Sequence, residues 1–210
     1  MKNLFLVSRR SSPTIRQLNK QKPSSNRFMK NLIILTGLNW LLLTSTQGAN
    51  LVTYWNFDEP TGSTTMYDSY GVNTGTLGST AVSGAAGKFG NALSINRAAN
   101  GAMGMTASTI GFPTGTKPYA ISYWVFNPSF VPGATADEPH FAFGDAANGK
   151  ENVVFNRDAF GGGKISYYNR DLVLPNGFFV NNQWQLIVVQ WDGTTRKAYA
   201  DGVLTASDSL

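Results

Sequence analysis

The sequence predicts an all-β fold, a sandwich or barrel of antiparallel strands, and three observations carry that prediction. Short apolar runs rich in aromatic and β-branched residues recur along residues 51–210 at roughly 8–12-residue spacing. Turn-forming residues separate them, as in Asp58-Glu-Pro-Thr-Gly62, Gly161-Gly-Gly163 and Pro175-Asn-Gly177. No 10–15-residue helical pattern intervenes, which argues against βαβ winding. The expected strands are 51–57, 92–96, 102–106, 119–127, 140–144, 152–156, 164–168, 177–180, 183–191 and 197–200.

Alternation assigns faces within these strands. In 119–126 one face carries Tyr119, Ile121, Tyr123 and Val125, the other Ala120, Ser122, Trp124 and Phe126. Both faces are largely apolar, so this run is expected to be a central strand covered on both sides. Leu186-Ile-Val-Val189 is apolar without a break and reads the same way, whereas the mixed run 196–201 is expected nearer an edge. Asp192-Gly193 and Asp201-Gly202 bracket that run. Asp-Gly tolerates the positive φ that tight hairpins need, so the pair reads as a β-meander. Residues 71–90, rich in Gly, Ser, Thr and Ala, read as a long loop or a loosely paired strand.

The first 48 residues read as an N-terminal extension plus a signal peptide, ahead of one domain over 49–210. Residues 1–50 hold eight basic residues and no acid, and an apolar run of 12 spans 32–43. Small residues follow, with cleavage expected after Gly48; this is the layout of a secretory signal. The run is short for a membrane span, which needs about 20 apolar residues, although an N-terminal anchor helix is the alternative. Translation can start at Met1 or at Met29, which opens a complete shorter signal. Contact with a membrane is thus expected only during export, to the cell surface or the surrounding medium.

Setting that segment aside reverses the charge argument. The whole chain is formally +5, but beyond residue 50 nine basic residues face twelve acidic ones, a net of −3. A nucleic-acid partner would need a basic patch on the folded domain, so none is expected. The roughly 160 remaining residues suit a single domain. There is no cysteine, hence no disulfide framework and no thiolate metal site.

Four segments carry a resemblance. They are Tyr54-Trp-Asn-Phe-Asp-Glu59 followed by Asp68-Ser-Tyr-Gly71, then Gly87-Lys-Phe-Gly-Asn-Ala-Leu93, then Tyr119-Ala-Ile-Ser-Tyr-Trp-Val125, and finally 184–202. In that order and spacing they resemble the laminin-G-like modules of secreted bacterial proteins. The resemblance implies a two-sheet antiparallel jelly-roll sandwich of concanavalin-A type over about 51–210. That family usually continues past the last Asp-Gly with further strands, so the domain is expected to be incomplete at its C-terminus. Gly87 and Gly90 bracket Lys88-Phe89, which is expected to let Phe89 drop inward. The fold hosts sugar binding, protein binding and catalysis alike.

Catalytic patterns are missing. Glycoside hydrolysis needs two carboxylates across the scissile bond, yet Glu59, Glu138 and Glu151 all fall in expected turns or strand starts. The single histidine, His140, could be a base oriented by Asp137 or Glu138; its structural reading is a strand-end histidine at the surface. There is no Gly-x-Ser-x-Gly elbow. No enzymatic activity is expected.

For metal, the resemblance allows Ca²⁺ on a loop rim, since some relatives of the fold carry one. Asp145 and Asn148, in Gly144-Asp-Ala-Ala-Asn-Gly149, are the best local ligands, with Asp158 and Asp171 near in sequence. Asp58 with Asp68 and Asn73 is a second set. Turn formation is the competing role for all of them.

For a sugar, rings stack on apolar faces while Asp, Asn and Arg match hydroxyls. Trp55, Trp124, Trp184 and Trp191 lie in strands and read as core. Loop aromatics are the better candidates: Tyr70, Phe130, Phe160, Tyr168 and Phe178. The segment 156–163 groups Asn156, Arg157, Asp158 and Phe160 on a glycine-rich loop, which can equally be an ordinary hairpin connection. The function expected is non-catalytic recognition of a carbohydrate. The alternatives are a protein-binding module of a surface protein or an accessory domain of an exported glycoside hydrolase.

Overall fold

The computed structural model describes residues 2–5, 50–95, 104–128, 138–144, 151–156, 162–167 and 170–210. Among them every regular element is a strand, and all strand ladders are antiparallel. In chain order the strands are β1 (Lys2–Phe5), β2 (Thr65–Met66), β3 (Gly75–Leu77), β4 (Ala81–Ala86), β5 (Asn91–Ile95), β6 (Met105–Ala107) and β7 (Tyr119–Phe126). Then follow β8 (Glu138–Gly144), β9 (Glu151–Asn156), β10 (Lys164–Ser166), β11 (Leu172–Val173), β12 (Trp184–Trp191), β13 (Thr195–Ala200) and β14 (Val203–Ser209). They form a seven-stranded sheet of order β14-β13-β12-β7-β1-β5-β4, a four-stranded sheet β11-β10-β9-β8 and a three-stranded sheet β2-β3-β6.

One face of the large sheet supplies the core. Tyr123 and Val125 of β7, Ile187 and Val189 of β12 and Ala198 of β13 pack against Val154, Ile165 and Leu172 of the four-stranded sheet. A second cluster joins Leu93 of β5 to Trp55, Phe57 and Met66, with Leu77, Met105 and Phe141 against it. Asn3 is the register partner of both Ser94 and Phe126. Ser94 and Phe126 therefore share one face, and Leu93 and Val125 share the other. The molecule is an antiparallel β-sandwich, as the strand spacing predicts.

Several elements differ from the sequence reading. Residues 51–57 form no strand; Trp55 makes a single antiparallel bridge with Asp68, and the run is held by burying Trp55 and Phe57 instead. Phe57 sits at φ 57°, where no ladder can continue. Residues 177–180 are a turn closed from Phe178 N to Pro175 O at 3.1 Å, with Gly177 at φ 81°. The glycine-rich stretch 71–90 holds β3 and β4, strands built of small residues. Residues 2–5, inside the expected N-terminal extension, pair by backbone between β5 and β7. The expected apolar run 32–43 and the cleavage point after Gly48 lie outside the described residues. No helix among the described residues is long and apolar enough to cross a membrane.

The two Asp-Gly turns close hairpins as expected. Asp201 and Gly202, at φ 51° and 84°, form a two-residue connection with Ala200 opposite Val203, the left-handed pair that such a loop requires. Asp192 caps the other turn through the Thr195 and Thr194 amides, and these bonds hold its carboxyl down to about 2.

Near the β14 edge one charged group ties the sheets together. Arg196 on β13 is 1 % exposed. Its Nε donates to Asp208 Oδ1 at 2.9 Å and Nη2 to Asp208 Oδ2, across the β13–β14 ladder. Its Nη1 donates to Ile165 O at 3.2 Å and Arg170 O at 2.8 Å, on the opposing sheet. Removing one partner of a buried pair strands the other charge, although the Asp208 side chain, 30 % exposed, lets water soften the loss. Asp208→Ala should therefore destabilise the fold by roughly 2–3 kcal/mol. Urea denaturation measures this, and an unchanged midpoint would show that the clamp is dispensable.

Candidate ligand-binding face

The side of the large sheet that turns away from the core carries the most distinctive surface. Along β12 burial alternates strictly: Gln185, Ile187, Val189 and Trp191 are buried, while Trp184, Leu186, Val188 and Gln190 are half-buried. On β7 Tyr123 and Val125 are buried and Ser122, Trp124 and Phe126 half-buried. Register places Trp184 opposite Phe126, Leu186 opposite Trp124 and Val188 opposite Ser122. The Phe126 and Trp184 rings lie 5.5 Å apart at 47°. Period-two side-chain direction thus lines three rings up on one face.

The β4–β5 connection extends this row. Gly87 N donates to Gly90 O at 2.9 Å, and Gly90 takes φ 62°. A Cβ on Gly90 would overlap the Asp58 carboxylate, which itself accepts from Asn91 N at 2.9 Å. This tight turn delivers Phe89 edge-on to Trp124, with centroids 5.8 Å apart, and sets Lys88 Nζ 5.1 Å from the centre of the same ring. Phe89 is 43 % exposed and lies on the outer surface, not dropped inward as expected.

These facts correct the expectation that β7 and β12 are covered alike on both sides. Trp55 and Trp191 are core residues as read, but Trp124 and Trp184 belong to the outer face. Polar residues did not separate the two faces: Ser122 and Gln190 stand on the outer one, but Gln185 and the Tyr123 hydroxyl are on the inner one.

A rim of loops forms a second, rigid feature. Asp68 Oδ1 accepts from the amides of Tyr54 at 2.9 Å, Tyr70 at 3.0 Å and Gly71 at 2.8 Å. Its Oδ2 accepts from the Thr53 hydroxyl and from Asn73 N at 3.0 Å. Burial opposes the charge, but the Thr53 hydroxyl and the three amides of Gly71, Tyr54 and Asn73 outweigh it and hold the carboxyl far below the usual range. Asn73 is buried, with Nδ2 on Ile110 O at 3.0 Å and Oδ1 receiving Ile110 N at 2.8 Å. Asp58, Asp68 and Asn73 are thereby engaged by the scaffold, which overturns them as a cation set. On this frame Tyr70, Val72 and Ile110 stand exposed.

Other sequence candidates fall as follows. Phe178 is 2 % exposed in the core and is no loop ligand. His140, read as a surface residue, is 8 % exposed. Its Nδ1 lies 3.2 Å from Tyr123 Oη, and its ring meets Phe179 edge to face at 4.7 Å. Burial pushes the Tyr123 hydroxyl well above its ordinary value, and the pair is core material. Asp171 is bound by Lys164 Nζ at 2.8 Å and Ser166 Oγ at 2.7 Å. Asn156 ends β9, opposite Glu138 in the ladder. Phe130, Asp145, Asn148, Arg157, Asp158, Phe160 and Tyr168 lie outside the described residues, and the Ca²⁺ expectation at Asp145 and Asn148 with them. Among the described residues no three His, Cys, Asp or Glu side chains gather closely enough to hold a metal.

The fold and this face together define an antiparallel β-sandwich with an aromatic outer sheet surface. No protein-family model matches the chain, and no curated protein and no solved structure matches it.

The Asp68 knot has a pH signature. Its folded pKa lies below the unfolded value near 3.9, so its contribution is present above about pH 4 and fades as pH falls toward the folded value. Asp68→Asn should cost roughly 2–4 kcal/mol at pH 7, because the amide turns a donor toward donors. The gap between wild type and variant should narrow from pH 4 to pH 2 in urea titrations. A gap independent of pH would show that the charge is not what closes the loop.

Proposed function

We propose that this chain is a non-catalytic carbohydrate-recognition module of an exported protein, built on a concanavalin-A-like jelly roll of laminin-G type. The observation that supports this reading is the in-register group of Trp124, Phe126 and Trp184 on the outer face of the large sheet. Aromatic side chains offer broad, stiff surfaces that stack on the apolar C–H faces of pyranose rings. They stand on strands, whose geometry is more rigid than that of loops. Ser122 and Gln190 on the same face supply hydroxyl and amide groups to match sugar hydroxyls.

Tryptophan fluorescence titration of the chain with a panel of soluble polysaccharides tests this. Binding should quench the signal, and Trp124→Ala or Trp184→Ala should each weaken it about tenfold, equivalent to ~1.4 kcal/mol, with the strand circular-dichroism spectrum retained. No quenching at millimolar sugar would sink the proposal.

A second reading, an adhesion module that grips a protein, draws support from the rim, where Tyr70, Val72 and Ile110 are exposed on a frame fixed by Asp68 and Asn73. Tyr70→Ala with Ile110→Ser would then abolish attachment to a cell surface in the presence of excess polysaccharide. Unchanged attachment would rule the rim out as the contact.

A further inference from the structure

We propose that the place between β5 and β7 is a strand-acceptor site. It is a groove in the middle of the large sheet that residues 2–5 fill in this chain, and that an extended peptide segment supplied in trans can fill in their stead. The site concerns the backbone of the sheet and is independent of the glycan reading of its rings.

The groove exists because, among the described residues, only β1 joins β5 to β7 within the sheet. β7 is paired along its whole length with β12, from Tyr119 to Phe126, and β5 is paired with β4. Each therefore turns its other edge toward β1. Without β1 those edges would stand two strand spacings apart, roughly 9–10 Å, too far to bond each other. The residues along them are buried in the filled sheet: Leu93, Ser94 and Val125 are 2 %, 8 % and 1 % exposed. Buried amides and carbonyls need partners, and an inserted strand satisfies both facing edges at once.

β1 is built to be exchangeable. Its four residues run antiparallel to both neighbours. Lys2 and Asn3 stand opposite Ile95 and Ser94, while Asn3, Leu4 and Phe5 stand opposite Phe126, Val125 and Trp124. Those partners begin only at Asn91 and Tyr119, so no hairpin turn ties β1 to either of them. Ladder bonds run through the backbone and do not depend on which chain supplies the strand. A chain begun at Met29, or one trimmed behind residue 5, would lack β1 and leave the groove open.

Register also states what the incoming segment must be. Leu93 and Val125 share the core face, each in one of the two apolar clusters. The position opposite Val125, which Leu4 holds, falls on that face. The positions on either side of it, opposite Phe126 and Trp124, fall on the outer face. The partner is therefore an extended polypeptide stretch at least as long as β1, free of proline and apolar at its one core-facing position.

The test uses the full chain carrying Asn3→Pro and Leu4→Pro together. Successive amides of a strand point to opposite neighbours, so the pair of prolines removes a donor on each side. Amide hydrogen exchange should speed tenfold or more in β5 and β7, while the β12–β13 hairpin keeps its protection. A peptide of residues 1–8, added in excess, should restore slow exchange in this variant, and the same peptide carrying Leu4→Asp should not. An unchanged exchange pattern in the double variant would overturn the inference. So would failure of the peptide to restore protection, or equal restoration by the Leu4→Asp peptide. If the double variant unfolds outright, refolding it with the peptide present decides the matter: recovered strand circular dichroism supports the acceptor site, and no recovery overturns it.

Discussion

Eight consecutive cross-strand pairs, from Trp184 opposite Phe126 to Trp191 opposite Tyr119, set the register on which the rest of the molecule depends. Side chains alternate with a period of two, so this one register decides which residues enter the core and which face outward. A slip of one residue on β12 would bring Gln185 and Trp191 to the outside and push Trp184 and Gln190 toward the four-stranded sheet. Gln185 shows why the chain does not slip. It is buried, but its Oε1 receives Val180 N at 2.6 Å and its Nε2 donates to Phe178 O at 3.0 Å. Only in this register does a buried amide find both partners, and an unmatched one would cost about 1–3 kcal/mol. The same bonds shape the turn that sends Phe178 into the core.

Around this pair of strands, polar side chains act as ties between elements that apolar packing alone would leave free to slide. Arg196 reaches from the large sheet to two carbonyls of the opposing layer. Asp68 gathers amides from two short segments, at Tyr54 and at 70–73, and Asn73 joins two loops. Tyr123 and His140 meet between the layers. Arg196, Asp68 and Asn73 are each multiply bonded, and a buried polar group that finds its partners stabilises a core rather than weakening it. They limit how the sheets can pack, and so keep the outer face in one shape.

Much of the scaffold was legible in sequence because the signals were local. Strands 119–126 and 184–191 announce themselves by length and β-branched or aromatic content, and Asp201-Gly202 by its tolerance of positive φ. The failures have a common cause. Where both faces of a strand are apolar, alternation identifies two faces but not which of them is covered, and Trp124 and Trp184 were assigned to the wrong side of that choice. Residues 51–57 have strand composition but are held by side-chain burial around a left-handed Phe57. Apart from Leu77 and Val82, β3 and β4 are made of Gly, Ala, Ser and Thr, which carry little strand signal. The mixed run 196–201 read as nearer an edge, and β13 does lie next to the edge strand β14; that its arginine is buried was not legible, because Asp208 and the two carbonyls that receive it come from other elements. His140 showed the same limit, since only the tertiary position of Tyr123 makes a histidine a core residue.

The chain contains no cysteine, and its tight connections are closed by carboxylates instead. Asp58 pins one turn, Asp68 a loop cluster, Asp192 and Asp201 two hairpins, and Asp208 the buried arginine. Where small domains commonly rely on sulfur, closure here is ionic and hydrogen-bonded. Such closures are indifferent to reductants and oxidants, reform at once after local opening, and need no catalyst to pair correctly. At Asp68 and Asp192, whose carboxyls are held below their ordinary range, it is therefore acid and not a reductant that opens the closure.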